Sequence, residues 1–303
     1  MSQSADFETL LAARAEAVET CLKHLLDPRP REGEIARPAN LLAAMRHGVL
    51  NGGKRLRPFL VVESAALFGA GGDAVLRVAA ALECVHCYSL IHDDLPAMDD
   101  DDLRRGQPTV HRAFDEATAI LAGDGLLTYA FDIVADAETA LPAAVRVALC
   151  AGLARAAGLG GMAGGQALDL AAARERPDEA GVLRLQAMKT GALIRFACEA
   201  GATAGRAPEA DRARLAEFGQ AIGLAFQLAD DLLDLTATPE TMGKATGKDD
   251  AAGKATLAGL NGADWARRQL AGLVDQAVAL LEPYGEAGAT LAAAARFVAE
   301  RRH

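Results

Sequence analysis

The stretch ALECVHCYSLIHDDLPAMDDDDLRR (Ala81–Arg105) begins as an apolar run at helical spacing and ends in six aspartates, Asp93, Asp94 and Asp99 to Asp102. Crowded carboxylates repel one another, and keeping them ionised side by side costs free energy unless a cation neutralises them. A solvated acidic loop would screen that repulsion, but an apolar helix leads into these acids, and Arg104 and Arg105 follow them directly. Pro96 is poorly tolerated inside a helix, so the regular spiral is disturbed just after Asp94. That break lets Asp99 swing back toward Asp93 and Asp94.

Outward from this stretch, apolar residues recur every three or four positions almost throughout, which is the helix period. Of the 303 residues 51% are hydrophobic but only 4% aromatic, and alanine and leucine outnumber β-branched runs. That balance favours helices over sheets. Breaks fall at Asp27–Pro38, Gly69–Asp73, Leu95–Pro108, Leu159–Gly165, Arg176–Asp178, Gly201–Pro208 and roughly Thr236–Gly253. No Ser/Pro-rich linker divides the chain, so the expectation is one all-α domain over residues 1–303 with about ten or more helices.

The longest apolar stretches, Phe59–Ala70 and Val75–Ile91, are interrupted by Glu63, Arg77, Glu83 and His86. No membrane span is therefore expected. The acidic start lacks the order of a signal peptide, which points to a cytoplasmic protein. A formal charge of −10 argues against nucleic acid as a partner. The cysteines, Cys21, Cys84, Cys87, Cys150 and Cys198, are odd in number and lie in apolar contexts, as buried free thiols of a reducing compartment do. CVHC at 84–87 has no second half-site to complete a zinc centre.

A second acidic cluster lies in FQLADDLLDL, with Asp230, Asp231 and Asp234. On a helix Asp230 and Asp234 stand about 40° apart, on one face. Oxygen-only ligands of this kind suit Mg²⁺, which combines a few carboxylates with substrate phosphates. An EF-hand does not fit, because its central glycine and closing glutamate are missing. The chain has only six lysines, Lys23, Lys54, Lys189, Lys244, Lys248 and Lys254, and five of them sit in glycine-flanked or turn-like segments. An arginine-preferring sequence that places lysine there uses the compact ammonium for a task such as holding phosphate. In GGKRLRP, Lys54, Arg55 and Arg57 lie beside Gly52 and Gly53, which allow close backbone approach.

GGKRLRP, HDDLPAMDDDDLRRGQPTVH, GGQALDL, KTGALI, FQLADDLLD and GKATGKDDAAGKATL occur in that order. Together they resemble the trans-isoprenyl diphosphate synthases, above all the bacterial short-chain farnesyl diphosphate type, over nearly the whole chain. The resemblance implies a helical bundle of isoprenoid-synthase type around a deep central cavity. It implies three Mg²⁺ held by Asp93, Asp94, Asp99, Asp230 and Asp234, with Asp231 in the second motif. Arg104, Lys189, Thr190, Gln227 and Lys244 would surround the allylic diphosphate. Gly53, Lys54, Arg57, His86 and Arg105 would take the diphosphate of isopentenyl diphosphate, and Gln166 and Asp169 would support the cavity. The catalytic set so implied is Asp93, Asp94, Asp99, Asp230, Asp231 and Lys189. The metals would offset the leaving diphosphate as the allylic substrate ionises, and the double bond of isopentenyl diphosphate would attack the cation.

Tyr88 stands five residues before Asp93, about 7.5 Å lower along a helix. In similar enzymes a bulky aromatic there stops the growing prenyl tail, and the small Ser89 leaves room for a ten-carbon substrate. The pair favours a fifteen-carbon product. Geranyl and geranylgeranyl diphosphate synthases, and a non-catalytic subunit of a prenyl synthase, are the alternatives. Leu257 and Ala258 depart from the Tyr-Pro pair usual after GKAT, and the GKDD run also differs, which weakens the assignment of Lys248 and Lys254. A homodimer is implied by the resemblance.

Overall fold

The computed structural model describes residues 2–175, 177–236 and 256–300. Its helices are α1 (Ser2–Leu25), α2 (Ala39–Val49), α3 (Leu56–Ala66), α4 (Asp73–Asp93), α5 (Val110–Ala113), α6 (Glu116–Ala135), α7 (Ala143–Ala157), α8 (Met162–Glu175), α9 (Glu179–Gln186), α10 (Ala192–Ala204), α11 (Glu209–Thr236), α12 (Leu257–Asn261), α13 (Ala263–Leu280) and α14 (Ala289–Glu300). A π-helical turn, Ala187–Gly191, joins α9 to α10, and a 3₁₀ segment, Glu282–Gly288, joins α13 to α14. The all-α expectation holds, with one small addition. Leu103–Arg104 (β1) pairs antiparallel with Gln107–Pro108 (β2), closed by Arg105 and Gly106 at positive φ. Two-residue strands carry no period that a sequence pattern can show.

α4 is buried on nearly every side, from Val75 through Cys87, as its continuous apolar composition requires. It packs against α3, α6, α1 and α2, while α10 fills the space between α3, α7 and α11. Close approach is set by small residues: a Cβ at Gly201 of α10 would collide with the Val61 carbonyl and the Ser64 side chain of α3. Side-chain caps start several helices, with Asp115 accepting from the Thr118 amide at 2.8 Å and Asp178 from the Gly181 amide at 2.9 Å. The GGKRLRP turn is pinned to α4 from below. Arg55, in the left-handed region, forms a buried ion pair with Glu83 and donates to the Val49 carbonyl.

One expectation needs correction. Among the described residues three helical stretches, Asp73–Asp93, Glu116–Ala135 and Ala143–Ala172, are long and apolar enough by composition to cross a membrane. Too few charges interrupt them. In α4 Glu83 is neutralised inside the protein by Arg55, and 67% of that stretch is packed into the core.

Candidate active site

The loop after α4 coils back over the end of the helix, as Pro96 predicts. The Asp99 amide donates to the Asp93 carbonyl at 2.8 Å, and the Asp101 amide donates to the Asp94 carbonyl at 3.2 Å. Asp100 takes a positive φ of 51° to make the turn. The first aspartate motif is thereby assembled from both ends of one short loop. Burial, with Asp99 and Asp94 adding repulsion against the attraction of Lys189 and Arg104, pushes the Asp93 carboxyl up to about 6. Asp94 is almost wholly buried and its carboxyl is also raised, chiefly by burial. Arg104 grips it, Nε to Oδ1 at 2.7 Å, and lies 3.7 Å from Asp101. Asp102 pairs with Arg112 at the surface.

Beside this loop stands a basic wall. The Asn51 side chain donates to the Arg104 carbonyl at 3.1 Å, and Arg105 Nη1 donates to the Gly52 carbonyl, so the hairpin and the glycine turn are tied together. Gly53 has φ 109°, and a Cβ there would fall on the Arg105 guanidinium. Arg57 Nη1 and His86 Nε2 lie 3.4 Å apart. Burial and then Arg57, Arg105, Arg55 and Arg104 hold the His86 ring well below its ordinary value, so it is neutral. Among the described residues neither Arg57 nor Arg105 forms an ion pair with a carboxylate, and the buried Arg57 Nε has no hydrogen-bond partner. Lys54 Nζ stands 5.4 Å from the Phe297 ring centroid. Such a wall has the chemistry to receive an anion.

The second motif is linked to the first through the π-turn. Lys189 Nζ pairs with Asp169 of α8 at 2.6 Å and also acts on Asp93. The Thr190 hydroxyl donates to Gln227 Oε1 at 3.1 Å, and Gln227 Nε2 donates to Asp231 Oδ1 at 3.1 Å. Asp231 Oδ2 accepts from Gln186 Nε2 at 3.0 Å and from the Leu257 amide at 3.2 Å. π-turns recur at functional sites because one extra residue re-aims side chains. Here it directs Lys189 and Thr190 into the space between the motifs. Asp231 is buried and spends its oxygens on protein donors, whereas Asp230 is half-buried and Asp234 exposed.

Between these walls lies a cavity of about 290 Å³, lined among others by Arg57, His86, Asp93, Lys189, Thr190 and Tyr88. Ser89 also lines it, with its hydroxyl turned back to the His86 carbonyl at 2.8 Å. Gln166 reaches it with neither amide atom hydrogen-bonded among the described residues. A larger groove of about 1160 Å³, between the Leu26–Pro38 turn and α6, lies away from all these residues.

The donor set suits Mg²⁺. Among the described residues no three His, Cys, Asp or Glu side chains converge on one point. The carboxylates instead come as spaced groups on two elements, which leaves coordination positions for water and diphosphate oxygens. Burial first, and then repulsion from Asp99 and Asp94, raises the Asp93 carboxyl, and a cation bound there would offset both costs. Lys244, Lys248 and Lys254 lie outside the described residues.

Three contributors escaped the sequence reading: Gln186, Glu83 and the Leu257 amide. Gln186 stands three residues before Lys189, hence one turn away, and that spacing was its available signal. The Leu257 amide has no side-chain signature at all.

The polyprenyl synthetase family model matches residues 38–279. The farnesyl diphosphate synthase of Escherichia coli is 43% identical over 285 residues, covering 93% of each chain. That of Geobacillus stearothermophilus is 40% identical over 297 residues, covering 98% of each. The crystal structure of an FPP/GFPP synthase from Zymomonas mobilis superposes with a TM-score of 0.87 at 43% identity, covering 98% of this chain and 100% of that one. With the first aspartate motif at the cavity, the second tied to its lining through Gln227 and Thr190, and a basic wall beside them, this chain belongs to the polyprenyl synthetase family.

Proposed function

We propose that the protein is a short-chain trans-prenyltransferase that joins isopentenyl diphosphate to dimethylallyl and then geranyl diphosphate, giving farnesyl diphosphate. The observation that carries this reading is the pairing of two charge environments on one cavity: Asp93 with Lys189 and Thr190, the latter tied through Gln227 to Asp231 of the second motif, on one side, and Arg57, which has no carboxylate partner among the described residues, with His86 on the other. One side suits an allylic diphosphate with its metals, and the other a metal-free diphosphate. The farnesyl diphosphate synthases at 40–43% identity support the same activity.

Arg57, His86 and Arg105, with Lys54 and the Gly53 backbone, hold the diphosphate of isopentenyl diphosphate. Neutral His86 is a hydrogen-bonding group there rather than a second cation. Lys189, Thr190, Gln227 and Arg104, joined by Lys244, orient the allylic diphosphate. Asp93, Asp94, Asp99, Asp230 and Asp234 would hold Mg²⁺, which would supply the positive charge that offsets the developing diphosphate. As the allylic C–O bond breaks, its electron pair leaves with the diphosphate, whose charge Lys189 helps to offset. The terminal double bond of isopentenyl diphosphate then attacks the allylic carbon, and the proton lost afterwards passes to the departing diphosphate. Met98, Met162 and Tyr88 line the cavity and exclude water that would otherwise capture the cation.

Tyr88 limits the tail to fifteen carbons in this reading. The apolar Ile120, Leu121 and Val147, exposed on α6 and α7, support a homodimer, and five free cysteines support a reducing, cytoplasmic setting. Incubation with Mg²⁺, isopentenyl diphosphate and geranyl diphosphate, followed by mass spectrometry of the dephosphorylated product, should show farnesol. A twenty-carbon alcohol would keep the reaction and reject Tyr88 as the limit. Absence of elongation by folded protein would refute the reaction itself.

A further inference from the structure

Tyr88 and His92 lie one turn apart on α4, and their rings meet edge to face with centroids 5.8 Å apart and an interplanar angle of 77°. Both line the 290 Å³ cavity. No hydrogen bond of the Tyr88 hydroxyl is found among the described residues, so ring packing alone orients it. On its other side His92 meets α6. Its Nε2 lies 3.0 Å from the Ile120 carbonyl, which can only accept, so that nitrogen carries the proton. Gly123, buried one turn further along α6, stands against the same ring. A Cβ there would come within 3.0 Å of Nε2, Cδ2 and Cε1.

We infer that Gly123 is a specificity-determining position: by admitting the His92 ring against α6 it sets where Tyr88 stands, and so how long a prenyl tail the cavity accepts. This rests on the prenyltransferase reading above, and His92 and Gly123 act through Tyr88 as positioning residues. His92 is a wedge between a helix backbone and the cavity floor. A methyl at position 123 cannot be met by a small adjustment, because it overlaps three ring atoms rather than the tip of a flexible chain. The ring must leave the Ile120 carbonyl and move toward Tyr88 and the cavity. The floor then rises. Removing the ring has the reverse effect, because Tyr88 loses its edge-to-face partner and can tilt toward the vacated space.

The test compares Gly123→Ala and His92→Ala with the parent protein. Products are measured by mass spectrometry, and affinities by calorimetry with five- and ten-carbon allylic thiolodiphosphates, which bind without reacting. For Gly123→Ala the farnesyl-to-geranyl product ratio should fall at least about tenfold, with the ten-carbon analogue weakened and the five-carbon analogue unchanged. For His92→Ala the distribution should move toward twenty carbons. Opposite shifts in two variants are not what general loss of packing produces. Folded variants that slow turnover but keep both the product ratio and the analogue-affinity ratio of the parent would overturn the inference. If Gly123→Ala does not fold, His92→Ala alone decides by the same ratios. Failure of the parent reading is separate: the unmodified protein would then form no farnesyl diphosphate, and the analogue ratios would still judge the wedge.

Discussion

Asp231 offers the sharpest separation between a metal ligand and a structural clamp. Its carboxylate accepts from Gln227, Gln186 and the Leu257 amide at 3.0–3.2 Å while almost completely buried. Asp231→Ala leaves those three donors without their acceptor. At roughly 1–2 kcal/mol for each bond to a charged group, after some rescue by water, the loss is about 3–6 kcal/mol. That is a large share of the roughly 5–15 kcal/mol that holds a typical folded protein. Asp231→Asn should behave differently. The asparagine oxygen can keep the Gln186 and Leu257 donors if its NH₂ turns toward Gln227. Gln227 can then flip, accepting through Oε1 and donating through Nε2 to the Thr190 hydroxyl, which is also an acceptor. Every described partner remains satisfied, and the cost should stay near 1–2 kcal/mol, the loss of charge alone. Urea unfolding of the metal-free variants, followed by circular dichroism, measures both. Equal destabilisation by the two substitutions, or an alanine variant within about 1 kcal/mol of the parent, would refute the clamp.

Three further outcomes follow from the same geometry. Gly53→Ala forces a side chain into the Arg105 guanidinium at a φ of 109°. The KM for isopentenyl diphosphate should rise about 10–100-fold, the loss of one charge-assisted contact, with that for geranyl diphosphate little changed. Asp93→Asn removes charge from a carboxyl pushed up to about 6 by burial. The metal-free protein should gain about 1–2 kcal/mol in thermal melts at neutral pH, while kcat falls at least about 10²-fold. His86 has a folded value depressed well below 6.5, chiefly by burial. Its neutral form therefore contributes stability present above 6.5 and withdrawn as pH falls from there toward the folded value, so His86→Gln should flatten the pH–stability curve in that window. An unaltered slope would mean that the ring is not held neutral.

The helical class was legible in Ala81–Arg105 because a buried helix writes its environment into every third or fourth residue, and a proline marks where that order must end. The two aspartate motifs, Lys189 and GGKRLRP were legible for a similar reason. Charge crowded into apolar context has few bland explanations, and its chemistry is local to the residues that carry it. Other features left no such trace. β1 and β2 are too short to show a period. The apolarity of α4, α6 and the Ala143–Ala172 stretch does not distinguish protein interior from other apolar surroundings, because composition is blind to what lies opposite. That Asp231 clamps Gln186 and the Leu257 amide, while Asp230 and Asp234 stay more open, depended on which helix lay against α11. The seating of His92 between Gly123 and Tyr88 likewise joins residues about thirty positions apart through the packing of α4 on α6. The sequence alone determined which groups could perform the chemistry, since residue types and local spacing carry that information. Tertiary packing decided which of them face the cavity and which are held behind it, because burial and hydrogen-bond partners arise only when distant segments meet.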